Sequence, residues 1–452
     1  MSEAAPPAVT LREAFRAWWR IGWLSFGGPA GQIALMHREL VEQRRWISEP
    51  RFLHALNYCM LLPGPEAQQL AVYIGWLMHR IRGGLMAGML FVLPGCLSIM
   101  ALSILYVRYG ATPVASAIFF GLKAAVLAVV VEAVMRIGRR ALKTRFLVVV
   151  AVAAFLAIFV FAVPFPAIVA AAALLGLLVQ RVVPRWLPQL MADTAHDDAH
   201  YLVDALLAAD RLPHTRPSTP RLLGITVFSL VLWAVPVLLV AAWLGTQHVL
   251  VREGVFFSKA AIVTFGGAYA VLAYVAQRTV EDLHWLQPGE MVDGLALAET
   301  TPGPLIMVLQ FVGFVAAYRH AGTLDPWLAA TLGALLTTWV TFVPSFFFIF
   351  AGAPYVETLR RNRALHGALS TITAAVVGVV MNLSAWFALH TLFEDVRAVD
   401  VGIVHMDVPV PASVEPFAVA LSVLAMYLAL KRHWPILWTL ALCGALGWAY
   451  SR

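Results

Sequence analysis

Charge is what this sequence has least of. Asp, Glu, Lys and Arg make up 13% of its 452 residues, against the ~25% usual in a soluble domain. With 61% of residues hydrophobic and a mean hydropathy of +0.80, a water-soluble globule is excluded and a polytopic membrane protein is expected. Cysteine is nearly absent. Cys59, Cys96 and Cys443 are odd in number, lie in apolar stretches and form no CxxC pair, which excludes a disulfide framework and a thiolate metal centre. No P-loop, HExxH or GxSxG occurs, so the motif routes to an ATPase, metalloprotease or hydrolase are closed; neither enzyme activity nor a cofactor is expected. The net charge of +7 sits in short loops between apolar segments and forms no basic stripe, which excludes nucleic acid as a partner and makes the lipid bilayer the surrounding medium. The N-terminus has no cleavable signal pattern and is expected to stay on the protein.

What is present is a repeat. Phe26-Gly27-Gly28 recurs as Phe265-Gly266-Gly267, Trp46 as Trp285, Pro63-Gly64-Pro65 as Pro302-Gly303-Pro304 and Gly83 as Gly322, all at a shift of 239. Pro94 then matches Pro344 at a shift of 250, with Phe91-Val92 and Phe342-Val343 beside them one residue out of step, and Ala125-Val126 matches Ala375-Val376 at the same 250. Helix breakers inside apolar segments, at corresponding places in two halves, are the usual pointer to a transporter's binding site.

Nine segments are long enough to span, namely residues 85–107, 114–135, 146–163, 165–180, 222–244, 328–350, 368–389, 417–430 and 436–450. Four others, 11–41, 52–78, 254–277 and 291–318, are broken near the middle by the Gly-Gly and Pro-Gly-Pro motifs. Treated as re-entrant hairpins, all four leave Arg38–Arg51 and the other basic loops on one side, as the cytoplasmic bias of Lys and Arg requires; thirteen spans would move that four-arginine loop outside. The expected fold is therefore all-α, with about nine spans and four helical hairpins in two repeats of inverted topology. The inversion follows because residues 114–135 run into basic RIGRRALKTR whereas their copy, 368–389, starts after RRNR and ends in the acidic loop 394–407. The first repeat is placed at 1–181, a cytoplasmic linker at 182–220, a connecting transmembrane helix at 221–253 and the second repeat at 254–452, with the N-terminus cytoplasmic and the C-terminus external. His196 and His200 in the linker have the i, i+4 spacing of helical metal ligands, yet a solvated linker explains them as well. The oligomeric state stays open, with a homodimer among the options.

Each helix restarting after a break would aim unpaired N–H groups and about half a positive charge at the membrane centre, a ready site for an anion. The candidate substrate-binding positions are Gly27, Gly28, Pro63, Gly64, Pro65, Gln68, Gly266, Gly267, Pro302, Gly303 and Pro304, with Gln69 and Asn382 as further neutral donors. The alternative is that the breaks are packing kinks. Lys123 stands in mid-span and is a candidate anion contact or one half of an ion pair. Arg20 and Lys259 correspond across the repeat and would lie along access routes, or snorkel to the interface. Glu66 and Glu299 flank the Pro-Gly-Pro motifs, and a carboxylate beside an anion is tolerable when protonated, so these two are the candidates for proton coupling; Glu66 at a helix start would also serve as a cap.

The set FGG, Trp46, PGPEAQQLAVYIGW and Pro94-Gly95, with the weaker copy FGG, Trp285 and TTPGP, resembles the long-chain, two-domain chromate ion transporters. The likeness runs from about Arg12 to Leu389 and places the family's motif residues at Gly27, Gly28, Trp46, Pro63, Gly64, Pro65, Gly75, Gly83 and Pro94. In the second half Phe314 replaces Gly75 and Pro344-Ser345 replaces Pro94-Gly95, which implies that the two sides of the site are not equivalent. The resemblance implies export of chromate from the bacterial cytoplasm across the inner membrane, driven by a proton gradient or the membrane potential and conferring chromate resistance. The family is drawn with ten to thirteen spans, which the hairpin count partly contradicts. Sulfate, of the same charge and shape, is the second candidate substrate. An intramembrane enzyme or lipid-handling protein is the reading of another class, for which no nucleophile, base or metal cluster is visible.

Overall fold

The apolar segments coil because a chain in lipid must satisfy its backbone internally, and their ends are marked by local chemistry. Thr10 caps the first helix in a capping box with Glu13, and Thr112, Thr144, Asp325 and Asn362 cap others. The computed structural model describes residues 9–188, 201–204, 212–265, 267–356, 362–402 and 404–451; Gly266, His196 and His200 lie outside them. In the first half the helices are α1 (Leu11–Leu24), α2 (Gly28–His37), α3 (Glu49–Cys59), α4 (Glu66–Tyr109), α5 (Pro113–Ala141), α6 (Arg145–Phe159) and α7 (Phe165–Val182). A peripheral helix α8 (Thr219–Leu244) leads to α9 (Val249–Val263), α10 (Ala268–Gln277), α11 (Pro288–Thr300), α12 (Val308–Arg319), α13 (Pro326–Gly352) and α14 (Arg363–Leu392). A β-hairpin, β1 (Val396–Val401) and β2 (Val404–Pro409), follows where an acidic loop was expected, and α15 (Pro416–Met426) and α16 (Ile436–Tyr450) close the chain.

Each broken segment folds back on itself. Arg20 in α1 reaches buried Glu39 just beyond α2 at 3.4 Å, although the two flank the break by unequal lengths of chain that would stand over 20 Å apart in a continuing helix. In the second half, the rings of Phe256 of α9 and Tyr274 of α10 meet with centroids 5.5 Å apart, eight residues before Thr264 and seven after Gly267. Tyr58 and Tyr73 join α3 to α4 at 5.7 Å, and Arg319 at the end of α12 bonds Glu290 at the start of α11 at 2.6 Å. The long α4 also bends sharply at His79–Arg80, where the backbone leaves helical geometry. Its first limb returns to the level where α1 begins, with His79 Nε2 donating to the Val9 carbonyl at 2.8 Å. Gly75 and Gly83 let the two limbs touch: a Cβ at Gly83 would stand 2.2 Å from the Gly75 carbonyl oxygen.

Among the described residues, six helices are long and apolar enough to cross a membrane, α4, α5, α7, α8, α13 and α14. The other three expected spans are shorter. Helices α6 and α16 have 15 residues each, about 22 Å against a ~30 Å hydrocarbon core. The expected span 146–163 stops at Phe159 because Ala162 turns with φ of 48° and Pro164 cannot continue a helix. The helix before the second FGG begins at Val249, which corresponds to Thr10, one residue before the start of α1.

The halves interlock. Helices α6 and α7 pack on α14, while their counterparts α15 and α16 pack on α5, so each half covers the other's long helix. Small residues make this close: a Cβ on Gly176 would meet Thr371 and Gly367, one on Gly378 the Ala151 carbonyl, and one on Gly121 the Cys443 carbonyl. Helices α5 and α14 themselves meet at the centre. Residues 38–51, 80–82 and 136–145 share one face of the molecule, the arginine-rich face, and the β-hairpin lies on the opposite face, where His405 N–H bonds the Val160 carbonyl at 2.8 Å.

Candidate functional site

Four hairpin tips meet in the middle of the molecule, paired across the repeat. The Gly303 N–H donates to the Ser25 carbonyl at 2.9 Å, and the Gly64 N–H to the Thr264 carbonyl at 2.8 Å. Ser25 and Thr264 correspond at the shift of 239, as do Gly64 and Gly303, so these are one bond made twice by an inverted symmetry. The hydroxyls correspond too. Ser25 Oγ donates to Ile21 and Thr264 Oγ1 to Ala260, each four residues back and each at 2.6 Å. Non-helical backbone at this depth persists because its polar groups are satisfied within the protein. The tips need glycine: φ is 80° at Gly27, 67° at Gly28, 122° at Gly64, 98° at Gly267 and 96° at Gly303. Gly303 also lies against Gly95, where its Cβ would stand 2.9 Å from the Gly95 Cα.

Beside the tips, toward the arginine-rich face, lies a cavity of about 130 Å³. Pro29 and Ala30 of α2, Gly267 and Ala268 at the start of α10, and Glu66 at the start of α4 line it, all at helix N-termini whose N-cap residue supplies no side-chain bond. The fourth restart, after Pro304, begins as a tight turn (Leu305–Met307) and does not reach the cavity. The opposite wall is α5, which contributes Arg136 and Arg140, with Thr373 of α14 beside them. Arg136 is ion-paired with Glu132 one turn earlier, whereas Arg140 has no ion pair or hydrogen bond among the described residues. Two guanidinium groups and three helix starts around an ion-sized space form an environment for a compact anion.

The two carboxylates sit crosswise. Glu66 of the first half approaches Gly267 of the second, within 4.0 Å of where a Cβ would be; Glu299 of the second half approaches Gly28 of the first, within 3.9 Å. Glu299 is buried at 1% exposure, accepts the Tyr269 hydroxyl at 2.7 Å on one oxygen and has no partner on the other. Tyr269 itself lines the cavity. A carboxyl so enclosed is costly as an anion and acceptable with a proton on the orphan oxygen.

Other sequence candidates lie apart from the cavity. Gln68 accepts the Ser345 hydroxyl at 2.5 Å, Gln69 donates to the Pro63 carbonyl at 2.8 Å, and the unremarked Gln32 donates to the Gly303 carbonyl at 2.5 Å, so these amides brace the tips. Lys123 stands 3.6 Å from Asp293, which also accepts the Tyr106 hydroxyl at 2.9 Å, the ion-pair arrangement that the sequence left open beside an anion contact. Asp293 arrives from a helix 170 residues further along the chain. Arg20 is held by Glu39; Lys259, its counterpart, instead shares a depression on the opposite face with Arg252 and Arg278. Sequence reasoning missed Arg136 and Arg140 because a basic cluster ending a helix reads as a loop signal. It also passed over a visible one, the hydroxyl residue directly before each FGG.

On the arginine-rich face the described part of the linker is docked. Asp204 receives Ser48 Oγ at 3.0 Å and Arg51 Nε at 2.7 Å, and His214 donates to the Trp76 carbonyl at 3.0 Å with burial holding its imidazole below the usual range.

Two interlocked inverted repeats with broken helices meeting at a charged cavity define a polytopic membrane transporter. The chain belongs to the chromate transporter family, whose model matches residues 12–177 and 253–448, and is a transport protein rather than an enzyme. It is 34% identical over 385 residues to a chromate transport protein of Pseudomonas aeruginosa, covering 84% of this chain and 81% of that one. It is 29% identical over 376 residues to a chromate transport protein of Cupriavidus metallidurans (83% and 82% covered), and 26% identical to a probable one of Synechococcus elongatus (83% and 84% covered). No solved structure matches.

Proposed function

We propose that the protein is a secondary transporter that exports chromate from the bacterial cytoplasm across the inner membrane, conferring chromate resistance, with its arginine-rich face and N-terminus in the cytoplasm and its C-terminus outside. The observation that carries this reading is the meeting of Arg136, Arg140 and helix N-termini from both halves in one small cavity open toward the arginine-rich face. Chromate is a tetrahedral dianion. Arg136, Arg140, the starts of α2 and α10 and a protonated Glu66 together offer donors on several sides of it, in a setting where each counts for more than in water. The glycines at 27, 28, 64, 267 and 303 and the prolines beside them act by holding those N-termini bare. Glu66 and Glu299 are the proton carriers of this scheme, and the proton gradient or membrane potential is its driving force. Lys123, tied to Asp293 in this state, is assigned to the anion when the opposite side opens. Recognition of this kind rests on charge and shape, so sulfate competes for the site.

Everted membrane vesicles containing the protein should accumulate labelled chromate when energised, lose the signal with a proton uncoupler and take up less with excess sulfate. Arg140→Gln should weaken chromate binding about 10- to 100-fold, the worth of a charge-assisted contact of about 1.5–3 kcal/mol. Unchanged binding in that variant overturns the assignment of the site, and absence of chromate accumulation overturns the function.

A further inference from the structure

A second cavity, of about 340 Å³, lies under the β-hairpin on the face away from the arginines. Its walls include Ala273 and Ala276 of α10 and Leu383, Trp386 and His390 of α14, with Glu281 and Asp407 at its rim. At the repeat shift of 250, Ala133 corresponds to Leu383, Arg136 to Trp386 and Arg140 to His390. All six line one or other of the two cavities, so the second cavity is the inverted counterpart of the first. We infer that this cavity is the opposite mouth of the same translocation route, in which Trp386 and His390 stand where Arg136 and Arg140 stand in the first mouth and from which the dianion is released because no fixed positive charge replaces the arginines.

The barrier between the two mouths is thin. Tyr269 lines the first cavity and Ala273 the second, and they are four residues apart on α10, one turn or about 6 Å of helix. That turn is fastened by the Tyr269 hydroxyl on Glu299 at 2.7 Å, against the tip at Gly28. Opening the route therefore needs a displacement of one hairpin tip, on which Glu299 sits, rather than the parting of whole helices. The two mouths differ in chemistry. Among the described residues no Lys or Arg lines the second one, whose ionisable groups are His390 from α14, His405 and Asp407 from β2 and Glu281 from the turn after α10. Asn382 there is a neutral donor. A dianion is thus held by two arginines at the first mouth and by none at the second, an asymmetry that eases release there, while the gradients set the direction of net transport.

This inference rests on the transport reading above, and the test separates the two. The purified full-length protein, with its three cysteines replaced and Ala276→Cys introduced, is labelled with a sulfonated methanethiosulfonate and reconstituted in liposomes. Labelled chromate flux should fall at least tenfold while chromate binding, at Arg136 and Arg140, stays within about twofold of the unlabelled protein. His390→Arg, which restores the arginine pattern, should bind chromate more tightly and carry it more slowly. Unchanged flux in both proteins, beside a wild type that does carry chromate, overturns this inference alone. A wild type that carries none overturns it together with the transport reading.

Discussion

Lys123 illustrates how a buried charge is reassigned by its neighbour. Facing Asp293 at 3.6 Å, it balances a carboxylate that would otherwise be isolated, so Lys123→Met should lower thermal stability in detergent, and Lys123→Met combined with Asp293→Asn should recover it. If Lys123 also meets the anion when the opposite side opens, the double variant regains stability without regaining chromate flux; recovery of both reduces the residue to half of an ion pair. Glu299 is a different case. With one oxygen on Tyr269 and the other without a partner, it accepts a neutral amide in place of a protonated acid. Glu299→Gln should keep chromate binding and lose the dependence of liposome flux on a pH gradient; a flux with the same pH dependence returns Glu299 to a structural part.

The hairpin tip is the element whose integrity matters most. Its backbone has left helical geometry, and each polar group lost there is lost in a medium without water. Gly303→Ala must fit a methyl at a φ of 96° and 2.9 Å from Gly95, so flux should be abolished or nearly so. Replacing Pro63-Gly64-Pro65 by three alanines should let the half-helices fuse and remove the bare N-terminus at Glu66, with transport lost although the protein still inserts. Gly224→Ala is the contrast: in α8 a methyl there meets nothing within 4 Å, and flux should not change while stability rises by up to about 1 kcal/mol. Equal tolerance of alanine at 224 and 303 would show that the tips are spacers.

At the scale of the molecule, re-entrant hairpins return the chain to the side it came from, and this sets which loops share a face. In a cysteine-free background, Cys at Glu42 should resist an impermeant thiol reagent applied to intact cells, and Cys at Asp282 should react; both positions are exposed. Labelling at Glu42 from outside would reverse the assignment of the arginine-rich face to the cytoplasm. The exchange of α6 and α7 for α15 and α16 makes the two halves one unit, since each long central helix is covered by the other half. Separately expressed halves are therefore expected to be unstable alone and to recover chromate binding when co-expressed, measured on the co-purified pair.

By itself the sequence determined the membrane class, the inverted repeat and the places where the helices break. Those are written in local chemistry: apolar length, glycine and proline inside it, arginine between the spans. Contacts over hundreds of residues were decided by the tertiary structure alone. Gly64 bonds Thr264 and Gly303 bonds Ser25, Asp293 closes on Lys123, and Arg136 and Arg140 turn from the end of α5 into a cavity rather than into a loop. The physical reason is that helix periodicity and breakers are properties of neighbours in the chain, whereas which side chains face one another follows from the crossing of α5 and α14 and the pairing of the tips. No short-range pattern encodes that. The symmetry did leave a trace, since a hydroxyl before each FGG and a basic pair opposite Trp386 and His390 are visible once the shift of 250 is applied to α5 as well as to the motifs.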